Sequence, residues 1–175
     1  MRVIGGEFRS RRLKSIPGLA TRPTTDRLRE TLFDILGTQV KGTVFLDAYA
    51  GTGAVGIEAL SRGAARAVFI EKSKNAAKVL HENLASLGVG GRALVVLGTV
   101  MSSIAAHKAD IVFLDPPYEW ESEYAPALGL LSVGSPRLVV VQHSVRFTLA
   151  ETYGALKRTR TLKQGDNALS FYSVD

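Results

Sequence analysis

The chain has 175 residues, 46% of them hydrophobic and 22% charged, with a net charge of +6 and no cysteine. That is one domain by length, too apolar for a disordered chain, with no apolar run near the ~20 residues of a membrane span. Without cysteine there is no disulfide, iron–sulfur cluster or thiol nucleophile, and His81, His107 and His143 are too scattered to suggest a metal site.

Residues 1–31 hold eight basic residues against three acidic ones, so +5 of the net +6 lies in this stretch. A basic segment on a nearly neutral body outlines a nucleic-acid footprint; a solvated, solubilising face would look the same. Gly5-Gly6 between Val3-Ile4 and Phe8 predicts a short hairpin. The chain thus divides into a basic N-terminal hairpin arm over 1–22 and a single domain over 23–175. The first residues lack the apolar core of a secretory signal, and a cytoplasmic protein is expected.

Pro17-Gly18 breaks the chain, and Pro23 precedes Thr24-Thr25-Asp26. These polar residues predict a capped helix running to about Gly37, with Leu28, Leu32, Ile35 and Leu36 on one face. Val44-Phe45-Leu46 reads as a buried strand, followed by a glycine-rich turn and a helix ending near Gly63. Ala67 to Ile70 is a second strand. Ser73 predicts a helix cap, with Ala76, Leu80, Leu84 and Leu87 on one face and Gly88 closing the helix. Ala93–Leu97, Ile111–Leu114 and Arg137–Gln142 complete five apolar strands alternating with helices, the pattern of a parallel sheet covered on both faces. Leu156–Leu162 and Ala168–Val174 are strand-like and joined by only five residues, too few for a parallel crossover, so they form an antiparallel hairpin. The predicted fold is α/β, five parallel strands plus this C-terminal hairpin, with ligands bound beyond the carboxyl ends of the strands.

Gly51-Thr52-Gly53-Ala54-Val55-Gly56 follows the first strand and opens a helix, the G-x-G-x-x-G context in which backbone approaches a cofactor closely. Glu71 ends the second strand 20 residues after Gly51, where a carboxylate accepts both hydroxyls of a ribose. Ile57 stands where a Walker loop requires Lys. Asp47 ends the first strand; a carboxylate there would repel a pyrophosphate but suits the sulfonium and ammonium of S-adenosylmethionine. Partnering the helix dipole is the other role open to Asp47.

The fourth strand runs into Asp115-Pro116-Pro117-Tyr118. Two prolines stiffen the turn and remove two backbone donors. The Asp115 carboxylate and the Pro116 carbonyl can then accept hydrogen bonds from one exocyclic amine, and Tyr118 offers a face for stacking a base. Such acceptors steady the positive charge that develops on a poorly nucleophilic aromatic amine during methyl transfer. A rigid strand exit with Tyr118 as a core lid is the bland alternative.

These motifs resemble those of the class I amino-methyltransferases. Arg2–Phe8, Arg22–Phe33 and Gly56–Ala64 extend the resemblance over nearly the whole chain, to the bacterial small-subunit rRNA guanine-N2 methyltransferases of the RsmD type. The resemblance implies a Rossmann-like fold with a seven-stranded sheet, S-adenosylmethionine as cofactor, and methylation of a guanine 2-amino group in 16S rRNA. The substrate is then the rRNA or a small ribosomal subunit, and the enzyme a monomer without metal or membrane attachment. It makes Asp115, Pro116 and Tyr118 catalytic, and Asp47, Gly51, Gly53 and Glu71 cofactor-binding. Arg22, Thr24 and Thr25 would lie near the methionine end, with helix capping as their alternative, and Thr99 near the adenine. Pro117 and Tyr118 would meet the base, while Arg9, Arg11, Arg12 and Lys14 follow the phosphate backbone. Tyr49 stands where Phe is more usual and Thr52 where Ser is common. The same turn serves N6-adenine and N4-cytosine methyltransferases.

Two other readings exist. A small NAD(P)-dependent oxidoreductase would use the glycine loop and Glu71, and Tyr153-x-x-x-Lys157 has a dehydrogenase-like spacing if it is helical. A non-catalytic RNA-binding module would need only the basic arm.

Overall fold

The computed structural model describes residues 1–16 and 25–174. Helix α1 spans Asp26–Leu36 and buries Leu28, Leu32, Phe33 and Leu36, as the apolar spacing requires; Thr25 caps it by accepting from Leu28 N. Strand β1 (Val44–Asp47) leads through the glycine loop into α2 (Ala54–Ser61), then β2 (Arg66–Glu71) and α3 (Lys74–Leu87). Ser73 accepts from Ala76 N at the start of α3, and Gly88 closes it in the left-handed conformation at φ +69°. Next come β3 (Ala93–Leu97), the one-turn α4 (Val100–Ser103), β4 (Ile111–Leu114), α5 (Tyr124–Gly134) and β5 (Leu138–Ser144).

The sheet order is β3-β2-β1-β4-β5, continued by three strands from the end of the chain. The five are parallel, with Phe45 opposite Ala67 on one side of β1 and Ile111 on the other. The chain winds outward from β1 to β3, then returns to place β4 on the far side of β1. That reversal opens a crevice at the carboxyl end of β1. Neighbouring residues of each strand face opposite layers: Phe45, Ile111, Phe113 and Val140 pack beneath α1, whereas Leu46, Val112, Leu114 and Val141 pack against α5.

The C-terminal hairpin is longer than the sequence suggests. Strands β7 (Leu156–Gln164) and β8 (Asn167–Ser173) turn on Gly165-Asp166 alone, with Gly165 at φ +61°. Lys163, Gln164 and Asn167 read as connector because they are polar, yet their backbones complete the ladder. A two-residue strand, β6 (Thr152–Tyr153), pairs with β7 and makes the sheet eight-stranded, one more than the resemblance implies. Tyr153 and Lys157 therefore lie on paired strands around Gly154 (φ +57°), and no helix presents them together as a dehydrogenase would.

Residues 1–14 fold back on themselves: Val3 N donates to Arg11 O at 2.9 Å, and Ser10 N to Val3 O at 2.9 Å. Val3, Phe8 and Leu13 are buried with Ile57, Leu60, Phe69 and Leu80, so the hairpin is seated on α2, α3 and β2. Glu58 fixes its start. This fully buried carboxylate accepts from Ile4 N and Gly5 N, both at 2.8 Å, and lies 3.7 Å from Nε of the equally buried Arg29. Burial draws the Arg29 pKa down, against the pull of Glu58 and Asp26. Both charges have a second partner, with Arg62 Nε 2.9 Å from Glu58 Oε1 and Asp26 Oδ1 3.0 Å from Arg29 Nη2, so truncating one leaves the other still paired.

Candidate functional site

The carboxyl ends of β1, β2 and β4 lie side by side, and their loops build the site. Ala48 N donates to Phe113 O and Ala50 N to Ile70 O, both at 3.0 Å, which pins the β1 loop between its neighbours. The three glycines do different work. Gly51 (φ +56°) and Gly53 (φ +89°) are left-handed, where other residues are strained. A Cβ on Gly51 would meet nothing within 4 Å, so the backbone there faces the open space a ligand needs. A Cβ on Gly53 would lie 2.2 Å from Leu80 Cδ1, and one on Gly56 would lie 2.3 Å from Phe69 Cε1. Those two positions serve the packing of α3 and β2 against the loop and α2. A branched residue at Gly53 would strike Leu80 of α3.

Glu71 organises this corner. Its Oε2 accepts from Gly51 N at 2.8 Å and its Oε1 from Ser73 N at 2.7 Å. Each oxygen has a second lone pair, and the carboxylate is only partly buried. It can therefore take two hydroxyls while still holding the loop.

Asp47 is buried beneath the loop, and its Oδ2 accepts from Gly56 N at 2.9 Å in the first turn of α2. Here the helix-partner role is realised. Burial pushes the carboxyl up to about 7, the Gly56 amide opposes that rise, and the charge of Glu71 adds to it. A group raised on folding contributes stability that is fully present below its unfolded value, about 3.9, and is lost as pH rises through the folded value. The ligand-free wild type should thus lose up to a few kcal/mol relative to Asp47→Asn between about pH 4 and pH 7. The asparagine keeps an acceptor for Gly56. Denaturant unfolding of both proteins across this range checks it: parallel curves would show that Asp47 is ionised throughout.

At the end of β4, Asp115 is partly buried and Pro116 buried, while Pro117 and Tyr118 are exposed, Tyr118 at 46%. Tyr118–Glu123 continues as an irregular 3-10 stretch. It carries contacts that motif reading did not find. Tyr49 Oη donates to Glu123 Oε2 at 2.6 Å, and burial with that carboxylate beside it holds the phenol well above its usual range. Lys72, next to Glu71, places Nζ 3.3 Å from the ring centroid of Trp120. Tyr49 stood out only as a departure from Phe; nothing local marked Glu123, 74 residues away.

The remaining candidates lie further out. Thr99 caps α4 by accepting from Ser102 N at 3.3 Å and is exposed. Thr25 has the capping role described above, and Arg22 and Thr24 fall outside the described residues. Arg9, Arg11, Arg12 and Lys14 are all exposed on the N-terminal hairpin. Arg11 donates to Ser86 O at 2.7 Å and Lys14 pairs with Glu82 at 2.8 Å, both on α3. Arg2 and Arg9 line a shallow groove with Asp26, Arg27 and Glu30 of α1. Among the described residues no cluster of three or more His, Asp or Glu side chains could hold a metal ion. No helix among them is long and apolar enough to cross a membrane.

The family model described as "Conserved hypothetical protein 95" matches residues 1–173. "Putative rRNA methyltransferase YlbH" of Bacillus subtilis is 34% identical over 181 residues, covering 98% of each protein. "Ribosomal RNA small subunit methyltransferase D" of Escherichia coli K12 is 45% identical over 120 residues, which span 67% of this chain and 60% of that protein. Among solved structures, "Putative methyltransferase yhhF" from Escherichia coli superposes with a TM-score of 0.86 at 37% identity, covering 100% of this chain and 98% of the other.

Proposed function

Because the chain belongs to the family described as "Conserved hypothetical protein 95", we propose that it transfers a methyl group from S-adenosylmethionine to the exocyclic 2-amino group of a guanine in small-subunit ribosomal RNA. The observation that carries this reading is the placement of the Asp115 turn on β4 and the Gly51–Glu71 cradle on β1 and β2, with β1 between the other two. Acceptor and donor sites thus share one crevice. The relatives named as rRNA methyltransferases support the substrate class.

The residues present suit the cofactor. Glu71 is set to accept the ribose hydroxyls, the backbone at Gly51 leaves room beside it, and no phosphate-binding lysine follows Gly56. S-adenosylmethionine supplies an electrophilic methyl group on sulfur. Methyl transfer to guanine N2 would leave the electron pair of the broken S–CH3 bond on sulfur and release one proton from N2. Asp115 and the Pro116 carbonyl hold the amine hydrogens, aim the lone pair and offset the charge that grows on nitrogen. Asp115 then takes or relays the proton. Tyr118, exposed beside them, stacks on the extruded base.

Direct binding measurements with S-adenosylmethionine, NAD and NADP test the cofactor. Saturable binding of the first alone is expected; preference for either dinucleotide would replace this reading with hydride transfer. In this proposal Arg9, Arg11 and Arg12 follow the phosphate backbone, and the protein acts as a cytoplasmic monomer on 16S rRNA or the assembling subunit. Replacing the three arginines together with serine should weaken RNA binding and flatten its salt dependence, by roughly 0.7 in log K per log salt for each lost phosphate contact. Cofactor affinity should hold, since none of the three touches the glycine loop. An unchanged salt slope with lowered thermal stability would give these arginines a structural role.

A further inference from the structure

The stretch after the acceptor turn is fastened at two points, to the β1 loop and to the end of β2. Tyr118–Glu123 contains no buried residue, and Trp120 within it leaves helical geometry at φ −114°, ψ 27°. A short segment with so little apolar burial depends on specific contacts to keep one position. Glu123 is tied to Tyr49 on the β1 loop, and Trp120 to Lys72 at the end of β2. Since β1 lies between β2 and β4, the Lys72–Trp120 contact joins the segments that follow the two strands flanking β1. The same segment leads directly out of Asp115-Pro116-Pro117-Tyr118, whose two prolines transmit its position stiffly.

We propose that Tyr49, Lys72, Trp120 and Glu123 are positioning residues that set the acceptor turn at its working distance from the methyl donor. This rests on the methyl-transfer reading above. None of the four needs to touch the reacting atoms. In-line transfer tolerates little error in the approach of nitrogen to the methyl carbon, and a displacement near 1 Å is enough to slow a reaction about 100-fold. Partial loosening at one of two ties should cost less.

The test uses the full chain and its single tryptophan, Trp120. Tyr49→Phe removes one hydroxyl and leaves the ring. We expect kcat to fall about tenfold with cofactor Kd changed less than about threefold, the split that separates positioning from binding. Trp120 emission should move to the red as its segment loosens, although Tyr49 is tied to Glu123 and not to the indole. Glu123→Ala should reproduce both effects. Glu123→Gln keeps an acceptor for the phenol and should restore them. The double variant Tyr49→Phe/Glu123→Ala should be no worse than either single one. Wild-type kcat and emission in Tyr49→Phe would overturn the proposal, and so would a loss that Glu123→Gln fails to restore. If wild type binds S-adenosylmethionine but methylates no rRNA, the functional reading fails instead. The emission comparison needs no RNA and still decides whether the tie holds the segment.

Discussion

Asp115→Ala should reduce methyl transfer by at least ~100-fold while leaving S-adenosylmethionine affinity nearly unchanged. The carboxyl stands at the carboxyl end of β4, partly buried, on a strand whose four residues are all buried. The strand leading into it is held by pairing to β1 through Phe113 and to β5 through Leu114, and Pro116 follows it. Loss of the side chain therefore removes an acceptor without moving the strand. The Pro116 carbonyl alone would meet one amine hydrogen, leaving the nucleophile free to rotate and its developing charge half balanced. Asp115→Asn keeps the shape but presents one neutral acceptor, and should fall between alanine and wild type. Single-turnover rates with saturating cofactor, alongside equilibrium binding, separate the two effects. Near-wild-type turnover in Asp115→Ala would remove the proposed chemistry from this turn.

Glu71→Ala is expected to weaken cofactor binding by at least ~100-fold. Hydrogen bonds to a charged group contribute about 1.5–3 kcal/mol each, and two ribose hydroxyls lose their acceptor. A second loss adds to the first. The same carboxylate clamps Gly51 N and Ser73 N, so the variant also frees the glycine loop from the start of α3. Glu71→Gln separates these contributions: its one carbonyl oxygen can serve a single hydroxyl or amide, which predicts an intermediate affinity. Calorimetric titration of the three proteins with S-adenosylhomocysteine gives the order directly. Equal affinities would place the ribose elsewhere.

What the sequence discloses here is what local chemistry controls. Ser73 and Gly88 mark both ends of α3 because a cap and a left-handed glycine act within one turn. Strands β3 and β4 match their apolar runs residue for residue. The tip of the β7–β8 hairpin misleads because its polar residues resemble a loop, although backbone pairing continues through Gln164 and Asn167. Strand β6 has only two residues and exists because Gly154 turns the chain back onto Leu156. Within the site, Gly51, Glu71 and Asp115 announce themselves by motif. The packing partner of Gly53, the buried Arg29–Glu58 pair and the Tyr49–Glu123 tie do not, since each depends on residues far apart in the chain. The N-terminal hairpin shows both kinds of signal. Its charge is plain in the sequence, whereas the seating of Val3, Phe8 and Leu13 on the domain required the fold.

The methylated atom is identified by incubating the protein with small-subunit rRNA that lacks its own methylation and with S-adenosylmethionine labelled on the methyl group, then digesting the RNA to nucleosides. Label is expected in N2-methylguanosine and should be lost in Asp115→Ala. Label in N6-methyladenosine or N4-methylcytidine would keep the enzyme and contradict the base assigned to the Asp115–Tyr118 turn.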